Sequence, residues 1–192
     1  MIDNVKQTSV DANNNMFEGK VVIEDGATIK HNNTLIDCII GKDSVVSDSV
    51  IENSTIGQNV SVGPFSHIKN GSVIGDGAVI GNYVEVKNSI IGKNTKIKHL
   101  TYVGDAVVGD NCNIGCGVIF VNYNGRKKQK ITIGNNCFIG SNVNLIAPLT
   151  IADDCYICAG ATVTNNLKRG DFVIGRVREV IKPDRAYDYL KK

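Results

Sequence analysis

Leucine is nearly missing from this chain: 6 residues of 192, against 47 isoleucines and valines. That imbalance excludes a helical bundle, because β-branched side chains lose χ1 freedom on a helix and suit a pleated surface. Proline is scarcer still, with 3 residues, so turns fall to residues that tolerate positive φ; 20 glycines and 22 asparagines are there to supply them. Neither sign of charge dominates: the formal net charge is +2 with 21% charged residues, which gives no nucleic-acid signature. The start, MIDNVKQTSV, lacks the basic flank and apolar core of a secretory signal, and no apolar run approaches a membrane span. The expectation is a soluble, cytoplasmic, all-β protein of one domain, with neither nucleic acid nor membrane as partner. Six cysteines (Cys38, Cys112, Cys116, Cys137, Cys155, Cys158) are then expected to stay reduced. Cys155 and Cys158 form one C-x-x-C, but no second pair or nearby histidine completes four zinc ligands, so no metal site is expected.

What the chain does contain is a ruler of six. Ile23, Ile29, Leu35, Ile40, Val46, Ile51, Ile56, Val62, Ile68, Ile74, Ile80 and Val86 follow one another at steps of six or five. The series continues through Ile91, Ile97, Val103, Val108, Ile114 and Phe120, then resumes as Ile133, Ile139, Leu145, Ile151, Ile157 and Val163. All 24 anchors are apolar, and glycine often follows directly. Small or medium residues recur four positions after an anchor, as at Ala78, Thr95, Thr101, Cys112, Cys137, Cys155 and Ala161. A period of six fits neither a helix nor a hairpin meander. It fits a solenoid in which each hexapeptide is a short strand plus a tight corner, three sides closing a triangular coil of about 18 residues. Twenty-four anchors on three sides give about eight coils.

The ruler breaks once, between Phe120 and Ile133, where R-K-K-Q-K lies in an insertion of about seven residues. Such an insertion is expected to leave the solenoid as a surface loop, assigned to 126–132. Residues 1–19, with three consecutive asparagines at 13–15, read as a loose lead-in; 20–168 read as the coil; 169–192 read as a charged tail with room for a short helix after Pro183.

Residues at one place in every third hexapeptide stack at the strand spacing of about 4.8 Å. The column of His99 continues through Cys116, Ser141 and Ala159, so a histidine stands at one end of a track of small side chains about 14 Å long. A surface histidine above ordinary small residues leaves the same pattern. A second column pairs Lys69 with Lys87, two ammonium groups that repel unless they splay or share an anion. Glu85 and Tyr102 form another stacked pair, expected at the corner between these sides. His31, His67 and His99 are read as falling at different hexapeptide positions, which argues against a three-histidine zinc site.

Several segments carry a more specific likeness: V-G-P-F (62–65), G-N-Y-V-E-V-K-N (81–88), H-L-T-Y-V-G-D-A (99–106), N-I-G-C-G (113–117), V-N-Y-N-G (121–125), I-G-S-N (139–142) and C-A-G-A-T-V-T (158–164). In these the chain resembles the C-terminal acetyltransferase domain of the bifunctional N-acetylglucosamine-1-phosphate uridyltransferase/glucosamine-1-phosphate acetyltransferases, over roughly residues 20 to 178. The resemblance implies a left-handed parallel β-helix, a homotrimer with active sites between neighbouring subunits, and acetyl transfer from acetyl-CoA to glucosamine 1-phosphate. No permanently bound cofactor is implied; acetyl-CoA is the co-substrate. By position, His99 matches the general base, and Asn122 is expected with it as a catalytic residue. Lys69, Lys87, Tyr102, Asn113 and Lys128 match positions that hold the sugar phosphate, Glu85 lines the acceptor site with Asn122, and Tyr123 is expected among the substrate-binding residues. Cys116, Ser141, Ala159 and Arg176 match positions along acetyl-CoA. An oxyanion donor is expected at a backbone N–H near Asn122–Tyr123 or at a side-chain amide.

Three departures bear on specificity. Lys69 stands where the family usually has arginine, Cys116 replaces a usual alanine, and Asn124 replaces the aspartate of the usual N-Y-D-G. Lysine grips phosphate as a point charge where arginine grips it with two parallel bonds. No Gly-rich nucleotide loop precedes the repeats, so uridyltransferase chemistry is not expected of this chain. Two alternatives stay open: acetylation of another amino sugar or sugar nucleotide, and a non-catalytic oligomeric β-helix.

Overall fold

The computed structural model describes residues 9–10, 12–175, 177–188 and 190. Its strands are short and stack in parallel on the strands of neighbouring coils, apart from Ser9–Val10, which pairs antiparallel with Met16–Glu18. The result is a triangular β-helix. On the first wall Ile29, Val46, Val62, Ile80, Ile97, Ile114, Ile139, Ile157 and Val173 lie in register. On the second wall the row begins at Phe17 and Leu35 and runs through Ile51, Ile68, Val86 and Val103 to Phe120, Leu145 and Val163. Eight strands from Val22–Ile23 to Leu149–Ile151 build the third.

Of the 24 anchors, 22 are buried and the other two, Ile23 and Ile29, pack partly buried against the core at its first turn. Each fully buried valine or isoleucine contributes about 1.5–3 kcal/mol of apolar transfer, and no anchor competes with a neighbour for the axis. The residue after an anchor is squeezed by the next coil. A Cβ on Gly92 would meet the backbone of Gly109 well inside 3.0 Å, which is why that position takes glycine. Corners close on positive φ: of the 19 described non-glycine residues in that region, 16 are asparagine or aspartate. The exceptions are Phe65, Tyr83 and Leu100. Cys112, Cys137 and Cys155 occupy the small interior position as buried thiols, each facing a carbonyl of the next coil (Gly134, Ala152 and Lys168, at 3.1, 3.2 and 3.1 Å).

Some boundaries differ from the expectation. The coil reaches beyond 20–168 at both ends: Phe17 is a buried second-wall anchor in register with Leu35, and Phe172–Val173 pairs with Tyr156–Ile157. A single anchor six residues outside a long series carries too little periodicity to be assigned. The insertion ends at Lys130, because Ile131–Ile133 already pairs with Ala106–Val108. After Pro183 the helix is one short 3-10 turn, Arg185–Asp188. No described helix is long and apolar enough to cross a membrane.

Two strands stand apart by length. Val79–Lys87 and Lys96–Gly104 span nine residues each where the rest span two or three. They run through the corner between the first and second walls in continuous register, pairing Asn82 with His99 and Glu85 with Tyr102. That corner carries the candidate site.

Candidate active site

His99 stands exposed on this corner, two residues past the first-wall anchor Ile97. Cys116, Ser141 and Ala159 hold the same place after Ile114, Ile139 and Ile157, and all three are exposed. Backbone bonds from Asn142 to Cys116 and from Gly160 to Ser141, both 2.9 Å, tie this column together. The track therefore lies on one edge of the solenoid, as the ruler requires. Its unforeseen member is Asn82, whose Oδ1 lies 2.9 Å from Nδ1 of His99. An amide oxygen only accepts, so Nδ1 carries the hydrogen and Nε2 keeps its lone pair. Stepping the ruler one coil back from His99 would have found Asn82.

The same geometry corrects the histidine comparison. His31 is also two residues past a first-wall anchor, Ile29, and so shares the column of His99; five-residue steps obscure the match. Four coils, about 19 Å, separate them, and His31 pairs instead with Asp48 at 2.9 Å. His67 lies on the second wall. The three histidines do not converge, and the described residues form no group of three or more potential metal-ligating side chains.

On the outer face of the second wall the strands set Lys69 beside Lys87 and Glu85 beside Tyr102. The latter pair sits on the wall itself, past the corner where it was expected. Lys69 Nζ makes an ion pair with Glu85 Oε1 at 2.9 Å and approaches His67 Nδ1 at 3.4 Å; His67 Nε2 reaches Glu52 Oε1 at 2.8 Å. Lys69 is thus held by an ordered row of neighbours. Glu52 and His67 carried no signal in the sequence, since exposed charges on a strand are ordinary.

The insertion closes on itself as a hairpin through a bridge between Tyr123 and Lys128, and the Lys128 ammonium comes against Lys87. Contact with Lys128 pulls Lys87 below the ordinary lysine range. The same contact moves Lys128 up. Asp105 favours the charged form of both lysines, and a recess of about 400 Å³ lined by Asp105, Lys128 and Lys130 borders them toward the third wall.

Asn122 is buried at the root of the insertion. Its Nδ2 donates to Asp105 Oδ2 at 2.5 Å and to the Tyr102 hydroxyl at 3.3 Å, while its backbone N–H donates to Phe120 at 2.9 Å. Tyr123 beside it is exposed. One face thus brings together Lys69, Glu85, Lys87, Tyr102, Asn122 and Lys128. Asn113 does not join them: it lies on the first wall, between Lys96 and Phe138. Arg176 lies outside the described residues. Near Asn113 the first wall also exposes a ladder of stacked rings, Phe138, Tyr156 and Phe172, with centroids 4.6 and 5.1 Å apart.

Comparison with known proteins follows this geometry. Residues 51–124 match the family model described as GMPPB C-terminal domain, and residues 130–165 match the bacterial transferase hexapeptide model of six repeats. Such repeats fit the left-handed form of the coil. The chain is 48% identical over 168 residues to the bifunctional protein GlmU of Clostridium acetobutylicum, covering 88% of this chain and 37% of that one. It is 47% identical over 173 residues to the GlmU of Clostridium kluyveri, covering 90% and 38%. The chain therefore spans little more than a third of the length of these relatives. Among solved structures, the UDP-N-acetylglucosamine acyltransferase of Campylobacter jejuni superposes with a TM-score of 0.57 at 17% identity, covering 83% of this chain and 71% of that chain. PerB of Caulobacter crescentus, solved with CoA and GDP-perosamine, superposes with a TM-score of 0.55 at 22% identity, covering 60% and 54%. At such identities the likeness is one of fold.

Proposed function

We propose that this chain, whose β-helix is 47–48% identical to part of the bifunctional GlmU proteins, is an acetyl-CoA-dependent N-acetyltransferase making N-acetylglucosamine 1-phosphate from glucosamine 1-phosphate. One observation carries the reading: a lysine-rich face and a histidine-headed track of small side chains meet at one corner. Lys87 and Lys128, with Tyr102 and Lys69, take the sugar phosphate. Cys116, Ser141 and Ala159 let the thin pantetheine arm lie flat against the edge, and Arg176 is assigned to the CoA end.

Chemistry follows from the tautomer. Nε2 of His99 accepts the proton as the acceptor amine adds to the thioester carbonyl, and the imidazolium returns it to the departing CoA sulfur. General-base assistance of this kind is worth about 10²–10⁴-fold. The Asn122 N–H and Nδ2 are both engaged within the protein, so the oxyanion falls to the Tyr123 N–H.

Asn113 faces outward from a different wall than the lysine cluster, and the ring ladder beside it is exposed. Both fit a homotrimer in which a neighbouring subunit's first wall completes the site. A soluble cytoplasmic enzyme is part of the same proposal.

The Lys69–Glu85 pair favours a second reading, since it offsets a charge that would meet the phosphate; the acceptor is then a nucleotide-linked amino sugar. Thiol release from acetyl-CoA, measured with glucosamine 1-phosphate, glucosamine 6-phosphate and UDP-glucosamine, decides between them. The fastest turnover is expected with glucosamine 1-phosphate. Preference for UDP-glucosamine selects the second reading, and no acetyl-CoA binding by calorimetry leaves a non-catalytic solenoid.

A further inference from the structure

We infer that Asp105 is a positioning residue that fixes the polarity of the Asn122 carboxamide, turning Oδ1 toward the acceptor amine; this rests on the acetyl-transfer reading. Two residues past each second-wall anchor, the corner between the second and third walls carries Asp37, Asn53, Asn70, Asn88, Asp105 and then Asn122. At other corners an amide stacks either on an amide, as Asn14 on Asn32 at 3.1 Å and Asn94 on Asn111 at 3.4 Å, or on a carboxylate, as Asn32 on Asp48 and Asn136 on Asp154, both at 3.0 Å. An amide on an amide works with either end forward. Asp105 removes that choice.

Its carboxylate takes one carboxamide on each oxygen: Asn88 Nδ2 on Oδ1 at 2.6 Å and Asn122 Nδ2 on Oδ2 at 2.5 Å. A carboxylate only accepts, so both amides must present nitrogen to it. Charge-assisted bonds of this length are about twice as strong as neutral ones. The Tyr102 hydroxyl accepts from the same Asn122 nitrogen. Asn122 Oδ1 accepts no hydrogen bond from a described residue, and no described buried side-chain oxygen lacks a partner, so this oxygen keeps contact with solvent, on the side assigned to the acceptor. An oxygen held there receives an N–H of the acceptor and leaves the amine lone pair for the thioester. A flipped amide would present N–H to N–H.

Asparagine tolerates the φ of 50° at position 105, so Asp105→Asn keeps the corner while removing the lock, together with the carboxylate's support of the charged Lys87 and Lys128. Steady-state kinetics on wild type, Asp105→Asn, Asn122→Ala and the double variant test it, with melting temperatures as the folding control. Asp105→Asn is expected to lower kcat tenfold or more with acceptor KM changed less than threefold, and to have no further effect once Asn122 is alanine. An unchanged kcat, a loss confined to KM (the result if Asp105 serves only Lys87 and Lys128), or additive losses overturns it. The Asn122 side-chain amide signals in ¹H–¹⁵N spectra, assigned by their loss in Asn122→Ala, read the lock without turnover. They should shift and lose exchange protection in Asp105→Asn, and their persistence overturns the inference. Wild-type inactivity toward every amino sugar instead removes the acetyl-transfer reading, with the spectra then judging the lock alone.

Discussion

Asn82 Oδ1 lies 2.9 Å from His99 Nδ1, one coil before it and in strand register with it. The bond holds the ring and leaves Nε2 facing away from its partner. If His99 is the base, Asn82→Ala should lower kcat about 10²-fold, the cost of a reacting group misplaced by roughly an ångström. His99→Ala should cost about 10²–10⁴-fold. Melting temperatures close to wild type would assign both losses to chemistry, and near-normal turnover in His99→Ala would remove the histidine from the mechanism.

Lys87, held low by Lys128, should take up a proton when a phosphate binds between them. The sign follows from charge: an anion favours the ammonium, so the bound-state pKa of Lys87 rises above its depressed free value. Calorimetry of glucosamine 1-phosphate binding in buffers of different ionisation enthalpy should show net proton uptake by Lys87 over the pH range between those two values. Proton release would contradict the placement of the phosphate.

Cys116 sits in the exposed column with Ser141 and Ala159. A bulky side chain there should obstruct the track without touching the lysine face. Cys116→Phe is expected to raise KM for acetyl-CoA tenfold or more and to leave glucosamine 1-phosphate affinity within twofold by calorimetry. Cys116→Ala, which only widens the track, should keep wild-type KM.

Gly92 tests the coil itself, away from the site. Its Cβ would press into the backbone of Gly109, and backbone cannot swing aside. Gly92→Ala should destabilise the protein by about 1–3 kcal/mol, the usual cost of overpacking. Gly71, with nothing within 4 Å of its Cβ but a φ of 74°, should show only the cost of conformation. Urea unfolding of both variants separates the two causes.

Much of this site was legible before any coordinates. The stacking of Lys69 on Lys87 and the His99–Cys116–Ser141–Ala159 track follow from counting sixes. Counting missed the column shared by His31 and His99, because five-residue steps shift apparent position without changing the wall. It also missed Asn82 and Asp105, since asparagine and aspartate at corners are expected for φ alone and announce no partner.

The chain's own order of residues decides which side chains share an edge. Apolar anchors must face one axis, and a strand's two-residue alternation then dictates every outward position. Packing in three dimensions decides what those neighbours do. Lys69 meets Glu85, Asp105 grips Asn122, and the insertion returns Lys128 to Lys87. Such pairings depend on rotamer and donor polarity within a few tenths of an ångström, a scale on which a repeat of six carries no information.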